Sequence, residues 1–110
     1  MKDNLVYLRH ILGAIEKIES YVKDTPFKIF SKNTMIVDAV VRELEIIGEA
    51  ANNLGNDFQK EYPQIPFRNM IEMRNFLSHE YFGVDEKVVW DTIKEDLPNL
   101  KNIIGKLLEK

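Results

Sequence analysis

Apolar residues recur at intervals of three and four along most of the chain, the spacing that gathers side chains on one face of a helix with about 3.6 residues per turn. Leu5, Leu8, Ile11, Leu12, Ile15, Ile18 and Val22 follow it first. Ile36, Val40, Leu44, Ile47, Ala51 and Leu54 repeat it, and Val88 or Val89, Ile93, Leu97, Leu100, Ile104 and Leu107 do so again. No run of β-branched residues alternates with the two-residue period of a strand. The pattern predicts an all-α fold, an up-and-down bundle of four to five helices.

Local signals set the expected breaks. Asp3 or Asn4 can cap the first helix, and Pro26, which disfavours helix in the residue before it, predicts a stop near Lys23 or Asp24. Asn33 or Thr34 can cap the second helix, and Gly55 is expected to end it by entering the left-handed conformation. Gly48 lies inside that helix, where glycine costs about 1 kcal/mol relative to alanine, so a close helix crossing is expected there. Asn56 or Asp57 begins a short helical turn through Tyr62, ended by Pro63. Pro66 suits the first position of a segment running from Phe67 to about Phe82, before Gly83. Asp85 caps the last segment, which Pro98 is expected to kink or divide. With 110 residues, no internal repeat and no long linker, residues 1–110 read as a single domain.

Composition removes several classes of function. No stretch approaches the roughly 20 apolar residues needed to span a bilayer, and Met1-Lys2-Asp3-Asn4 leads into an amphipathic pattern instead of a signal-peptide core. A soluble cytoplasmic protein with no membrane partner is the expectation. There is no cysteine, hence no disulfide, thiolate nucleophile or cysteine-bound metal. His10 and His79 are the two histidines, too few for a multi-histidine metal site within one chain, so neither metal nor cofactor is expected. A formal charge of −3 argues against nonspecific coating of nucleic acid, which needs many cations on phosphates, but permits a local basic cleft.

The binary pattern fails at Arg74. At about 100° per residue, Phe67, Met70, Ile71, Leu77, Ser78 and Tyr81 all fall within about 60° of it, so an arginine occupies the middle of an apolar stripe. A guanidinium stays charged and is costly to bury alone. It must pair with Glu43, Glu45 or Glu49 of the second helix, reach water, or line a cleft that accepts an anion. His79, five residues on, lies about 140° around the helix, beside Arg68, Glu72 and Asn75. For Arg74 and His79 to meet one phosphate, either the helix unwinds near Ser78, or a second chain completes the cleft in a symmetric dimer. Taken by itself, a histidine near a helix end, such as His79, is more often a surface residue or a favourable charge at the dipole's negative end. His10 falls opposite the Leu8, Leu12 and Ile15 stripe and is expected to be exposed and uninvolved. Trp90 reads as packing, and Asp91, Glu95 and Asp96 beside Lys94 read as a solvated face.

The run Arg74-Asn75-Phe76-Leu77-Ser78-His79-Glu80-Tyr81 resembles the signature R-N-x-x-x-H-x-Y of the HEPN superfamily, and within it of the HepT-like toxins of prokaryotic toxin–antitoxin pairs. Supporting stretches are Arg42-Glu43-Leu44-Glu45-Ile46-Ile47-Gly48-Glu49-Ala50 before it, Ile65-Pro66-Phe67 at the start of its helix, and Val89-Trp90-Asp91 with Asp96-Leu97-Pro98 after it. Phe67 stands where relatives often carry Trp, a difference in packing.

The resemblance implies a metal-independent ribonuclease toxin that acts as a homodimer, the motifs of two chains lining one cleft. Arg74 would bind the scissile phosphate of an RNA substrate, His79 would move the proton, and Asn75 would orient substrate or histidine. Because RNA supplies its own 2′-hydroxyl nucleophile, an acid/base of near-neutral pKa and a fixed cation suffice without a metal. Tyr81 would be the acceptor of AMP groups attached by a nucleotidyltransferase antitoxin of the MntA type, which would block the cleft with bulk and negative charge. Read from the residues alone, Tyr81 is a packed aromatic on the Arg74 stripe. Glu72 and Glu80 oppose RNA phosphates and leave the positive field to Arg68 and Arg74, with Lys60 or Arg42 able to add to it. The alternatives are a non-catalytic nucleotide- or substrate-binding partner of a small nucleotidyltransferase, and a dimerisation scaffold in which Arg74 is fully paired with Glu49.

Overall fold

The computed structural model describes residues 2–78 and 85–109. Among the described residues seven helices follow one another: α1 (Lys2–Val22), α2 (Phe27–Phe30), α3 (Thr34–Asn53), α4 (Asn56–Glu61), α5 (Phe67–Ser78), α6 (Glu86–Asp91) and α7 (Leu97–Glu109). A π-helical turn, Thr92–Asp96, joins the last two. There is no strand among the described residues. Four of these helices are long, and α2, α4 and α6 span one or two turns, so the expected all-α bundle holds with short helices as its connectors. No helix among the described residues is long and apolar enough to cross a membrane.

The long α3 is the central element, packed against α1 on one side and α5 on the other, while α7 leans on α1. Each predicted stripe supplies the core. Leu8, Ile11, Ile15, Ile18 and Val22 of α1, Val40, Leu44, Ile47 and Ala51 of α3, and Leu97, Leu100 and Ile104 of α7 are all buried. Leu5, nearest the start, is exposed instead. Of the two candidates Val88 and Val89, it is Val89 that faces inward.

The caps show where local chemistry decided the outcome. Asn33 Oδ1 accepts the Ile36 N–H at 3.1 Å, and Asp85 Oδ1 accepts those of Lys87 and Val88 at 3.0 and 3.3 Å. Both are N-caps at the predicted residues. Helix α1 ends as expected before Pro26, with Asp24 at φ 56°, a left-handed conformation that aspartate tolerates better than most residues. Two expectations are corrected. Helix α1 already includes Lys2, so Asp3 and Asn4 lie within its first turn and do not precede it as caps. Helix α3 ends without a left-handed glycine: Leu54 turns extended, its carbonyl accepts the Gln59 Nε2 hydrogen at 3.0 Å, and Gly55, at φ −68°, precedes α4. A side chain on the fourth residue of the next helix thus satisfies the Leu54 carbonyl, which has no acceptor role inside α3.

Pro98 divides the last segment as expected. It is the second residue of α7, and the π turn before it opens the backbone where a proline ring would crowd an α-helical carbonyl. Helix α2, too short to show a period, lies under Trp90, whose ring centre is 5.0 Å from Phe30 and 5.7 Å from Phe27. Trp90 is thus packing, as expected. The neighbouring acidic residues are solvated: Lys87 pairs with Asp91 at 2.9 Å, and Lys94 lies 4.6 Å over the Trp90 ring.

Candidate active site around Arg74

Gly48 determines how α5 meets α3. A Cβ at this position would overlap the Cβ of Arg74 and stand 2.8 Å from the Met70 carbonyl oxygen, so only glycine lets the two backbones approach this closely. The crossing predicted from a mid-helix glycine is present, and the residue it admits is the arginine that broke the apolar pattern. Phe67, Met70 and Leu77 of the same stripe are buried, while the Arg74 side chain keeps 27% of its surface exposed. Its stem crosses α3 where Gly48 has no side chain, and its guanidinium reaches the far side of that crossing.

There it lines a cavity of about 320 Å³ together with Tyr7 and His10 of α1 and Arg42, Glu45 and Glu49 of α3. Of the three carboxylates considered as partners from sequence, Glu43 is buried, Glu45 lines the cavity, and Glu49 makes the ion pair, with Nη1 and Oε2 3.6 Å apart. That distance exceeds an ordinary hydrogen bond, and the Glu49 side chain is 62% exposed, so the pair is weak. The Nε of Arg74 is buried and has no hydrogen-bond partner among the described residues. An unsatisfied buried donor on a permanent cation is costly, by about 1–3 kcal/mol or more. An arginine serving only to join two helices would be expected to use its donors better.

The remaining sequence candidates separate. Arg68 does not line this cavity; it donates from Nε to Glu72 Oε1 at 3.0 Å on the exposed face of α5. Asn75 is exposed, next to Arg74 on the same helix. His79 and Tyr81 lie outside the described residues. His10 is exposed, as expected, yet it faces the Arg74 cavity and is not remote from it. Periodicity could not reveal this, because the cavity joins residues 10, 42 and 74 from three helices, and a residue pointing away from the core gives no signal of what it faces.

A second cavity, about 260 Å³, lies between α5 and the start of α7, floored by Leu44, Met70, Met73, Leu97 and Leu100 with Glu95 and Asp96 at its edge. It is larger in apolar character and lies away from Arg74. With no cation among its lining residues, it is a poorer place for phosphate.

Comparison with known proteins agrees with the motif. The family model described as "Ribonuclease HepT-like" matches residues 11–107. The chain is 48% identical over 101 residues to a Thermococcus cleftensis protein named "Probable ribonuclease HepT", covering 92% of each chain. It is 39% identical over 110 residues to a Caldanaerobacter subterraneus protein named as a "putative RNase", covering 100% of this chain and 98% of that one. It is 45% identical over 109 residues to a Methanocaldococcus jannaschii protein named "Gamma-glutamylcyclotransferase and putative RNase", covering 99% of this chain. The chain spans about half the length of that last relative, 49%. No solved structure matches the chain. A motif arginine held over a mid-helix glycine and a family match along nearly the whole bundle lead to one assignment: this chain belongs to the ribonuclease HepT-like family.

Proposed function

We propose that this chain is the toxin of a toxin–antitoxin pair, an endoribonuclease that works without a metal and cleaves RNA by attack of the substrate's own 2′-hydroxyl. The observation that carries this reading is the Arg74 guanidinium, set across Gly48 at the edge of the cavity, with 27% of the side chain exposed and only a weak ion pair on Nη1. A cation held in this way is prepared for an anion that is not part of the fold. The scissile phosphate meets that requirement, since its nonbridging oxygens gain charge as the 2′-oxygen attacks.

In the proposed reaction the 2′-oxygen bonds to phosphorus and the 5′-oxygen leaves, giving a 2′,3′-cyclic phosphate and a 5′-hydroxyl. His79 takes the proton of the 2′-hydroxyl and returns it to the leaving 5′-oxygen, and Arg74 stabilises the phosphorane charge between those events. Asn75 orients substrate or histidine, and Arg68 binds the strand outside the cavity once RNA displaces Glu72. Two chains form a homodimer whose motifs share the cleft. Tyr81 receives AMP from a nucleotidyltransferase antitoxin, which closes the site to RNA.

The test is cleavage of a defined RNA in EDTA by the purified chain. Cyclic-phosphate ends are the expected product, and Arg74→Ala and His79→Ala should each abolish them with helicity unchanged. Cleavage by both variants at the wild-type rate would overturn the assignment. Tight nucleotide binding without cleavage by the wild-type chain would favour a non-catalytic partner of a nucleotidyltransferase instead.

A further inference from the structure

Opposite Arg74, the wall of the cavity is aromatic. Tyr7 and His10 are three residues apart on α1 and so share one face of that helix. Their ring centres are 6.2 Å apart and their planes 80° from parallel, forming a corner. Tyr7 is half-buried, packing part of its side chain against the core, His10 is exposed, and both line the same cavity as Arg42 and Arg74. Two arginines are balanced there by Glu45 and Glu49. A lining of near-zero net charge is unsuited to a run of phosphates, but it fits a single nucleotide, with one phosphate and an uncharged base bearing polar edges. The cavity's 320 Å³ falls at the small end of the roughly 300–1,000 Å³ range of small-molecule sites.

We propose that Tyr7 and His10 form a nucleobase platform, which holds the base of the nucleotide whose phosphate reaches Arg74. The base stacks on one ring, and the other ring, nearly perpendicular, meets its edge; every nucleobase has a face for such a contact. Arg42 and Arg74 hold the phosphate end, while Glu45 accepts hydrogen bonds from base or sugar. The inference rests on the Arg74 cavity being the RNA site, and it adds that α1 decides how firmly a nucleotide is held there.

The experiment measures binding, by fluorescence anisotropy, of two short 2′-O-methyl strands that cannot be cleaved by their own 2′-oxygen: an oligouridine, and the same strand with one abasic position. Base stacking is worth about 1–3 kcal/mol, so the wild-type chain should prefer the intact strand by about 5- to 150-fold. Tyr7→Ala with His10→Ala should lose that preference by weakening binding of the intact strand, while the abasic strand binds as to wild type. Tyr7→Phe, which keeps the stacking face, should retain it. Equal binding of the two strands by the wild-type chain, or equal weakening of both in the double variant, would overturn the platform. Cleavage of unmodified RNA in parallel separates the two claims. A chain that cleaves without a base preference loses only the platform, and a chain that shows the preference without cleaving loses only the catalytic reading.

Discussion

Arg74 and Gly48 constrain each other. Arg74 can occupy an apolar stripe because Gly48 leaves room for its stem, and Gly48 accepts its conformational cost because it lets α5 close on α3. Gly48→Ala would force a methyl group against Arg74 and the Met70 carbonyl, and overpacking of this kind costs about 1–3 kcal/mol. Denaturant unfolding should show that loss, together with reduced RNA cleavage as the guanidinium shifts. A second residue-scale prediction concerns Arg74→Lys. It keeps a cation but removes the planar fork that meets two phosphate oxygens, so cleavage should fall by about 100-fold or more with the unfolding midpoint nearly unchanged. Comparable cleavage by the lysine variant would mean that only a point charge is needed. Gly48 and Arg74 could both be read from the sequence because each breaks a local rule within its own helix. His10 could not, because its relation to Arg74 exists only once α1 and α5 flank α3.

Among the elements, the last third of the chain shows how a proline can be accommodated. The π turn Thr92–Asp96, whose wider winding lets the Leu97 N–H reach back to the Thr92 carbonyl, ends just before Pro98 and already makes room for a ring that donates no N–H. Pro98→Ala should therefore change the unfolding midpoint little. Asn102→Pro, four residues on at an exposed position in the interior of α7, should cost about 3 kcal/mol or more, because it removes a helical hydrogen bond. One residue before Asn102, Lys101 Nζ donates to Glu19 Oε1 at 2.8 Å and ties α7 to α1. The hydrogen bond and charge of Glu19 raise the Lys101 pKa above its usual 10.5. A raised lysine pKa stabilises the fold below the unfolded value and loses that contribution as pH climbs through the folded one. Melting curves of wild type and Lys101→Met should thus differ slightly at neutral pH and converge above about 10.5. The stripes of α1, α3 and α7 were readable from spacing because each continues for several turns. Helix α2 and the end of α3 were not, since four residues hold no period and Leu54 finds its partner in Gln59 of the next helix.

For the whole molecule, the decisive geometry is the angle between Arg74 and His79. A regular helix places them about 140° apart, too far around to grip one phosphate from a single chain. The proposed homodimer resolves this by letting Arg74 of one protomer and His79 of its partner serve the same scissile bond, two sites per dimer related by the symmetry axis. Subunit mixing tests the arrangement without a structure of the complex. Arg74→Ala and His79→Ala chains, each inactive alone, are unfolded together, refolded at equal concentration and assayed on RNA. Random pairing makes about half of the dimers mixed, and each mixed dimer then holds one site with both residues intact and one with neither, so about a quarter of wild-type activity should return. If both residues came from one chain, every site in the mixed dimer would lack one of them, and no activity would return. Recovery near a quarter, absent when the two variants are refolded separately and combined at once, would place the arginine and the histidine of each site on different protomers. Continued inactivity in a preparation shown to contain mixed dimers would instead require α5 to unwind before His79 and bring both groups to one side of a single chain.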